Sequence, residues 1–177
     1  MMKFHLKDGD EVMITEATTE HAQHMVDFYN VVGGETDFLS FGKNEFNQKA
    51  ETYKEFLEST RLEQNSIILL ATVNDKIISI ASINSSQKNR IKHVGTLGIV
   101  ISEQFTGQGL GRKMMEQLIQ WAASNGVTNK ISLVTREDNN LAIELYEKLG
   151  FEKEGLVLKD TLIDGVYYNT LVMGLFF

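Results

Sequence analysis

The run from Thr96 to Leu118 constrains this chain more than any other. Leu97 to Ile101 is apolar enough for a strand covered on both faces. A turn follows with Gly107, Gly109 and Gly111 spaced two apart. Leu110, Met114, Leu118 and Trp121 or Ala122 then recur at helical spacing, giving one apolar face. A strand that feeds a glycine-rich turn at a helix N-terminus is a device for holding an anion. Its first N–H groups lack intrahelical partners, the helix dipole favours negative charge, and glycine lets a ligand approach the backbone. The spacing is G-x-G-x-G, not the G-x-G-x-x-G of dinucleotide sites, and Arg112 follows Gly111 where a P-loop needs Lys and Ser or Thr. Two readings stand at this level: a bare structural turn, or a cradle for another phosphate-bearing ligand.

Composition narrows the classes. The chain has 177 residues, 42% hydrophobic and 23% charged, which fits one globular domain over residues 1–177. Its 17 Lys and Arg against 24 Asp and Glu leave a net charge of −7. That argues against general binding to nucleic acid or an anionic membrane. With no Cys, thiolate nucleophiles, disulfides and cysteine metal sites are excluded. His5, His21 and His24 show no metal spacing with carboxylates, so no metal is expected. The first residues carry no apolar leader and no window reaches membrane-spanning length, so a cytoplasmic protein is the expectation.

Taken in order, Val12 to Ala17 is a short strand. Thr18 or Thr19 can cap a helix whose face holds Ala22, Met25, Val26 and Tyr29. Gly33 and Gly34 end it, and a loop rich in apolar residues follows from Glu35. Asn44 is expected to cap a second helix with Phe46, Ala50, Tyr53 and Leu57 on one face. Ile67 to Val73 and Ile77 to Ile83 form a hairpin across Asn74-Asp75-Lys76. His93 to Ile101 enters the glycine turn, and its helix ends near Asn125-Gly126. Ile131 to Thr135 is a strand. Asp138 or Asn139 caps a short helix with Leu141, Ala142, Leu145 and Leu149 facing in, closed by Gly150. Phe151 to Leu158 and Val166 to Leu175 are the last strands. The order is β-α-α-β-β-β-α-β-α-β-β.

Two blocks now bear on family. Glu103-Gln-Phe-Thr-Gly-Gln-Gly-Leu-Gly111 resembles motif A of the GNAT superfamily of N-acetyltransferases, Q/R-x-x-G-x-G/A. Asn139-Asn-Leu-Ala142-Ile-Glu-Leu145-Tyr146-Glu-Lys-Leu-Gly150-Phe151 resembles that superfamily's N-x-x-A-x-x-L-Y-x-x-x-G-F block. The likeness covers residues 96–177 by motif and the first half by element order. One departure is Thr106, where the family carries Gln or Arg.

The resemblance implies an α/β (α+β) fold: a mixed, largely antiparallel seven-stranded sheet flanked by about four helices and splayed between its fourth and fifth strands. It implies acetyl-CoA as co-substrate, bound in that splay. The backbone of Ile99, Val100 and Ile101 would hold the pantetheine arm. The turn Thr106, Gly107, Gln108, Gly109, Leu110, Gly111 and Arg112 would hold the pyrophosphate, and Asn139 would hydrogen-bond the cofactor unless it only caps its helix. Arg112 or Lys113 would add charge near the phosphates. Tyr146 would protonate the leaving thiolate, a task suited to a phenol of pKa about 10; the competing reading is a core aromatic. His93 is the candidate base, since an imidazole of pKa about 6.5 suits the task; the competing reading is a surface histidine. Glu35 and Glu45 come next.

For the acceptor, the fold implies a pocket between the first two helices and the last strands, pointing to Glu35, Asp37, Phe38, Phe41, Glu45, Phe46 and Tyr168. Acidic and aromatic residues together suit a cationic amine, although the phenylalanines could equally plug the core. The expected function is direct acetyl transfer to the primary amine of a small molecule. The alternatives are a protein N-terminal acetyltransferase of the ribosomal-protein type and a CoA-binding module without catalysis. The final strand, Val166 to Phe177, is a candidate edge for a homodimer.

Overall fold

Ile67 to Val73 is apolar at every position but one, and such a strand must be covered on both sides. The computed structural model, which describes residues 2–177, places it as β3 (Ile67–Val73) inside an eight-stranded sheet. Before it come β1 (Met2–His5), β2 (Glu11–Glu16), α1 (Ala22–Val32) and α2 (Ala50–Leu62). After it come β4 (Lys76–Ser85), β5 (Val94–Ile101), α3 (Leu110–Ser124), β6 (Lys130–Arg136), α4 (Asn140–Lys148), β7 (Glu152–Ile163) and β8 (Val166–Phe176). The spatial order is β1-β2-β3-β4-β5-β6-β8-β7, and every neighbouring pair is antiparallel except β5 and β6.

Alternation along β3 divides the interior. Ile67, Leu69 and Ala71 face α3 and α4 with Met114, Met115, Leu118 and Met173. Ile68 and Leu70 face the other way, with Met25, Tyr53 and Leu57 of α1 and α2. The β3–β4 turn uses Asn74 and Asp75 at φ 48° and 62°, the pair of positive values that matches the twist of a tight hairpin.

Sequence expectation and structure part at definite places. The sheet has eight strands rather than seven, because the four-residue β1 pairs with β2; its alternation is too short to announce itself. The second helix begins at Ala50, not near Asn44. Asn44 stands at φ 59°, and Glu45 turns its carboxylate back onto the Gly42 N–H (2.7 Å), which closes a loop where a helix was expected. On α4 the buried residues are Ile143 and Tyr146, whereas Leu141 is 86% exposed. The final strand is not an edge: β8 lies between β6 and β7, so the edge on that side of the sheet belongs to β7. Among the described residues, no helix is long and apolar enough to cross a membrane.

The consequential feature is the parallel seam. β5 and β6 pair only at Val94–Lys130, Gly95–Ile131 and Thr96–Ser132. Beyond that each strand follows its other neighbour. β4 holds β5 out to Ile101, and the Ser102 N–H donates to the Ile78 carbonyl (3.0 Å). β8 holds β6 out to Arg136. The strands therefore diverge, and a gap opens towards their C-terminal ends.

Candidate active site

One wall of the gap is the backbone of β5 from Leu97 to Ile101, which has lost its partner on that side. Strand geometry turns alternate N–H and C=O groups towards the gap. At its head stands the glycine turn. Gly107 and Gly109 adopt φ 71° and 92°, and a Cβ at either would meet no atom within 4 Å, so the backbone there is open to approach. Gly111 has a different task. A Cβ there would lie 3.1 Å from Ile101 Cδ1 and 3.5 Å from Leu145 Cδ2, so glycine lets α3 begin against the end of β5 and against α4. Among the described residues, the N–H groups of Gly107 to Arg112 donate to no protein acceptor. A row of free amides at the start of a helix is an anion cradle.

The turn is braced from outside by the β1–β2 loop, about a hundred residues away in sequence. Lys7 Nζ donates to the Gly107 carbonyl (2.9 Å), Gln108 Nε2 donates to Asp8 Oδ2 (2.6 Å), and the Asp8 N–H donates to Gln108 Oε1 (3.3 Å). In a planar trans peptide C=O and N–H point opposite ways. Holding the Gly107 carbonyl outward therefore directs the Gln108 N–H inward. Thr106, expected to lend its amide to the cradle, does not: its N–H (3.1 Å) and its hydroxyl (2.8 Å) both donate to the Glu103 carbonyl. Arg112 and Lys113 pair with Glu116 (2.8 and 3.6 Å), and the Arg112 hydrogen bond holds the Glu116 carboxyl below its ordinary value.

Tyr146 lies on the inner face of α4, 8% exposed, its ring centroid 6.0 Å from that of Phe151. Burial pushes its phenol up to about 12, so it stays protonated throughout the neutral range. Its neighbour Leu145 is the residue that reaches Gly111, so α4 packs beside the glycine turn. Asn139 occupies the N-cap position of α4 without capping it; its Nδ2 donates to Thr135 Oγ1 of β6 (3.3 Å). His93 lies elsewhere. It is exposed, and its carbonyl accepts from the Asn129 and Lys130 N–H groups (2.9 and 3.2 Å) at the closed end of the seam. Eight strand residues at about 3.3 Å each put it about 26 Å from Ile101.

The segment after α1 ties the open ends of the two strands. Glu35 Oε2 accepts the Glu103 N–H (2.8 Å) and Oε1 accepts the Ser102 hydroxyl (3.3 Å), just past β5. Arg136, the last residue of β6, donates through Nη1 to the Asp37 carbonyl (3.1 Å). It also grips Asp138 through Nε and Nη2 (2.9 and 2.6 Å). Its guanidinium lies 4.7 Å from the Phe38 ring and 3.8 Å from the Tyr168 ring. Arg136 had no sequence signal beyond its place after a strand.

On the α1–α2 side of the sheet lies a cleft of about 470 Å³. Phe41 and Phe46 line it, with Tyr29, Tyr53, Phe56, Gln48, Thr52, Ile68, Ser82 and Asn84. The rings form one cluster: Tyr29 to Phe46 is 4.4 Å and Tyr53 to Phe56 is 5.5 Å between centroids. Burial raises the Tyr29 and Tyr53 phenols, so both are neutral donors. Ser82 pairs across the sheet with Gly98, and a Cβ on Gly98 would meet only Ser82 Oγ, at 3.7 Å. The cleft floor thus continues past a bare glycine to the strand that walls the gap. Glu35, Asp37, Phe38, Glu45 and Tyr168 stand outside the lining. Tyr29 and Tyr53 carry helical core spacing in the sequence, which hides that one edge of each ring faces a cleft. A smaller hollow of about 230 Å³ between Lys3, Glu11 and the β3–β4 turn lies away from these elements.

The sequence matches the family described as "Acetyltransferase (GNAT) family" over residues 35–151. It is 29% identical over 105 residues to L-amino acid N-acetyltransferase AaaT of Escherichia coli (59% of this chain, 65% of that one). To the Spermidine N(1)-acetyltransferase of the same species it is 28% identical over 88 residues (50% and 47%). The alignments thus span about two thirds and half of those relatives. Among solved structures, an acetyltransferase of GNAT family from Streptococcus pneumoniae superposes with TM-score 0.91 at 33% identity, covering 94% of this chain and 99% of that one. A putative acetyltransferase from Salmonella typhimurium, yncA, solved with acetyl-CoA, superposes with TM-score 0.80 at 18% identity over 93% of each chain, a likeness of fold.

Proposed function

Because the chain belongs to the GNAT acetyltransferase family, we propose that it moves the acetyl group of acetyl-CoA directly onto the primary amine of a small molecule. The observation that carries this reading is the gap itself, an unpaired strand edge ending at a row of free amides.

The residues present fit acetyl-CoA. The open backbone at Gly107 and Gly109 leaves room for a pyrophosphate, and the amides from Gly107 to Arg112 would bind it. The free edge of β5 at Ile99 to Ile101 would hold the extended pantetheine arm as an added strand is held. When bound there, acetyl-CoA supplies a thioester, an acyl group activated towards amines. An N–H of the same edge would bind the thioester carbonyl and favour negative charge on its oxygen. Asn139 would orient the arm from the β6 side.

Tyr146 holds the proton needed by the departing sulfur. An ammonium acceptor would give one proton to water before attack; as the N–C bond formed and the C–S bond broke, Tyr146 would give its phenolic proton to the sulfur and the nitrogen would return its second proton to the phenolate. With no Cys in the chain, no thiol relay intervenes. Two neighbouring relatives named for amino acid and spermidine acetylation support a small amine as acceptor.

The test is release of free thiol from acetyl-CoA with and without amines. Thiol appearing at a rate that saturates with an added amine is expected. The same slow release whether or not any amine is present would contradict the proposal.

A further inference from the structure

We infer that the acceptor is a monoamine with an aromatic or apolar body, an arylalkylamine type, rather than a polyamine or an amino acid. The inference rests on the acetyl-transfer reading above and names the substrate class of the same site.

The argument starts from charge. The cleft is walled by the rings of Tyr29, Phe46, Tyr53 and Phe56, and its polar groups are neutral. No Asp, Glu, Lys or Arg is among its lining residues. Of the three carboxylates singled out from the sequence, Asp37 stands outside the cleft lining and the other two are already engaged. Glu45 accepts the Gly42 N–H, and Glu35 accepts the Glu103 N–H and the Ser102 hydroxyl. A polyamine entering this cleft would carry a second ammonium with no counterion. An amino acid would meet the converse difficulty, because Arg136 is paired with both oxygens of Asp138 and sandwiched between Phe38 and Tyr168. An ion moved out of water without a partner is strongly disfavoured.

An aromatic body has no such difficulty. It gains apolar contact with four rings, and edge-to-face stacking is already the habit of this cluster. Its single ammonium can ride on ring faces while it enters and lose its proton before attack. The floor directs the amine: Ser82 lies opposite Gly98, whose missing side chain leaves the way open from cleft to gap.

The experiment compares 2-phenylethylamine, L-phenylalanine and spermidine as acceptors by thiol release, in wild type and in Phe56→Ala, with acetyl-CoA binding measured separately by calorimetry. The expected kcat/KM for 2-phenylethylamine exceeds those of the other two by about tenfold or more. Phe56→Ala raises the KM for 2-phenylethylamine and leaves that for acetyl-CoA unchanged. A higher kcat/KM for spermidine or for L-phenylalanine overturns the inference while acetyl transfer stands. Binding of acetyl-CoA with none of the three amines used also overturns it. Failure to bind acetyl-CoA at all would instead sink the acetyl-transfer reading.

Discussion

The gap beside β5 and the cleft above β4 meet at Gly98, yet they are made of different material. The gap is built of main chain. Its wall, its turn and the first amides of α3 come from one continuous stretch, residues 97–112. The cleft is built of side chains from α1, α2, β3, β4 and the irregular segment between the two helices. Backbone can bind a ligand part that never changes, because N–H groups are the same whatever the sequence around them. Side chains can be exchanged without moving the strand edge. The division suits an enzyme that keeps one co-substrate and selects another.

Substitutions can break that comparison. The largest effect is expected at Tyr146. Replacing it with Phe should lower kcat by about a hundredfold, in the range of lost general acid catalysis, with acetyl-CoA affinity unchanged. Stopped-flow turnover beside calorimetry would show it, and undiminished kcat would remove the acid role. Next is Gly109→Val. A branched side chain at φ 92° strains the turn, and acetyl-CoA affinity should fall about tenfold. The ratio of kcat/KM between two amines should stay as it was; a changed ratio would mean that gap and cleft are not separable.

Alkali sharpens the account from another side. The Tyr146 phenol is raised to about 12 in the folded chain, against about 10 when unfolded. Its contribution is whole below the unfolded value and is lost as pH climbs through the folded one. Stability should therefore decline above about pH 10, by up to about 1.4 kcal/mol per pH unit from this group. Between these limits the denaturant midpoint of wild type should fall relative to that of Tyr146→Phe if the assignment holds, and the two should run parallel if it does not.

Smaller still is Lys7→Met. Losing the exposed hydrogen bond to the Gly107 carbonyl should weaken acetyl-CoA binding about threefold to fivefold. Lys7→Arg should recover most of it, and S-acetylpantetheine, which lacks the pyrophosphate, should react equally well with all three proteins. An equal loss with that analogue would show general damage to the fold.

What could be read from the sequence follows the same division. The glycine turn and most of the separate helices and strands are local, and a pattern of a few residues states them; the splayed seam is implied only by the family resemblance. Where packing chooses between two faces, the pattern is ambiguous. Of the expected inward face of the short α4, Ala142 and Leu149 pack against the core and Leu141 is exposed, while Ile143 and Tyr146, outside that face, are the buried residues. Asn44 has the composition of a cap but sits in a loop that Glu45 closes on Gly42. His93 has suitable chemistry at the wrong end of its strand, a matter of seam direction that no spacing reveals. Lys7 and Arg136 act on partners 100 and 99 positions away, so only the folded chain shows them at the site.

The most direct test of the central claim is calorimetric titration of the wild-type protein with acetyl-CoA and with CoA. Saturable one-to-one binding of both is predicted, since the amides of Gly107 to Arg112 and the edge of β5 need no side chain at Thr106 to act. No heat of binding at millimolar ligand would contradict the account and leave the glycine turn as structure alone.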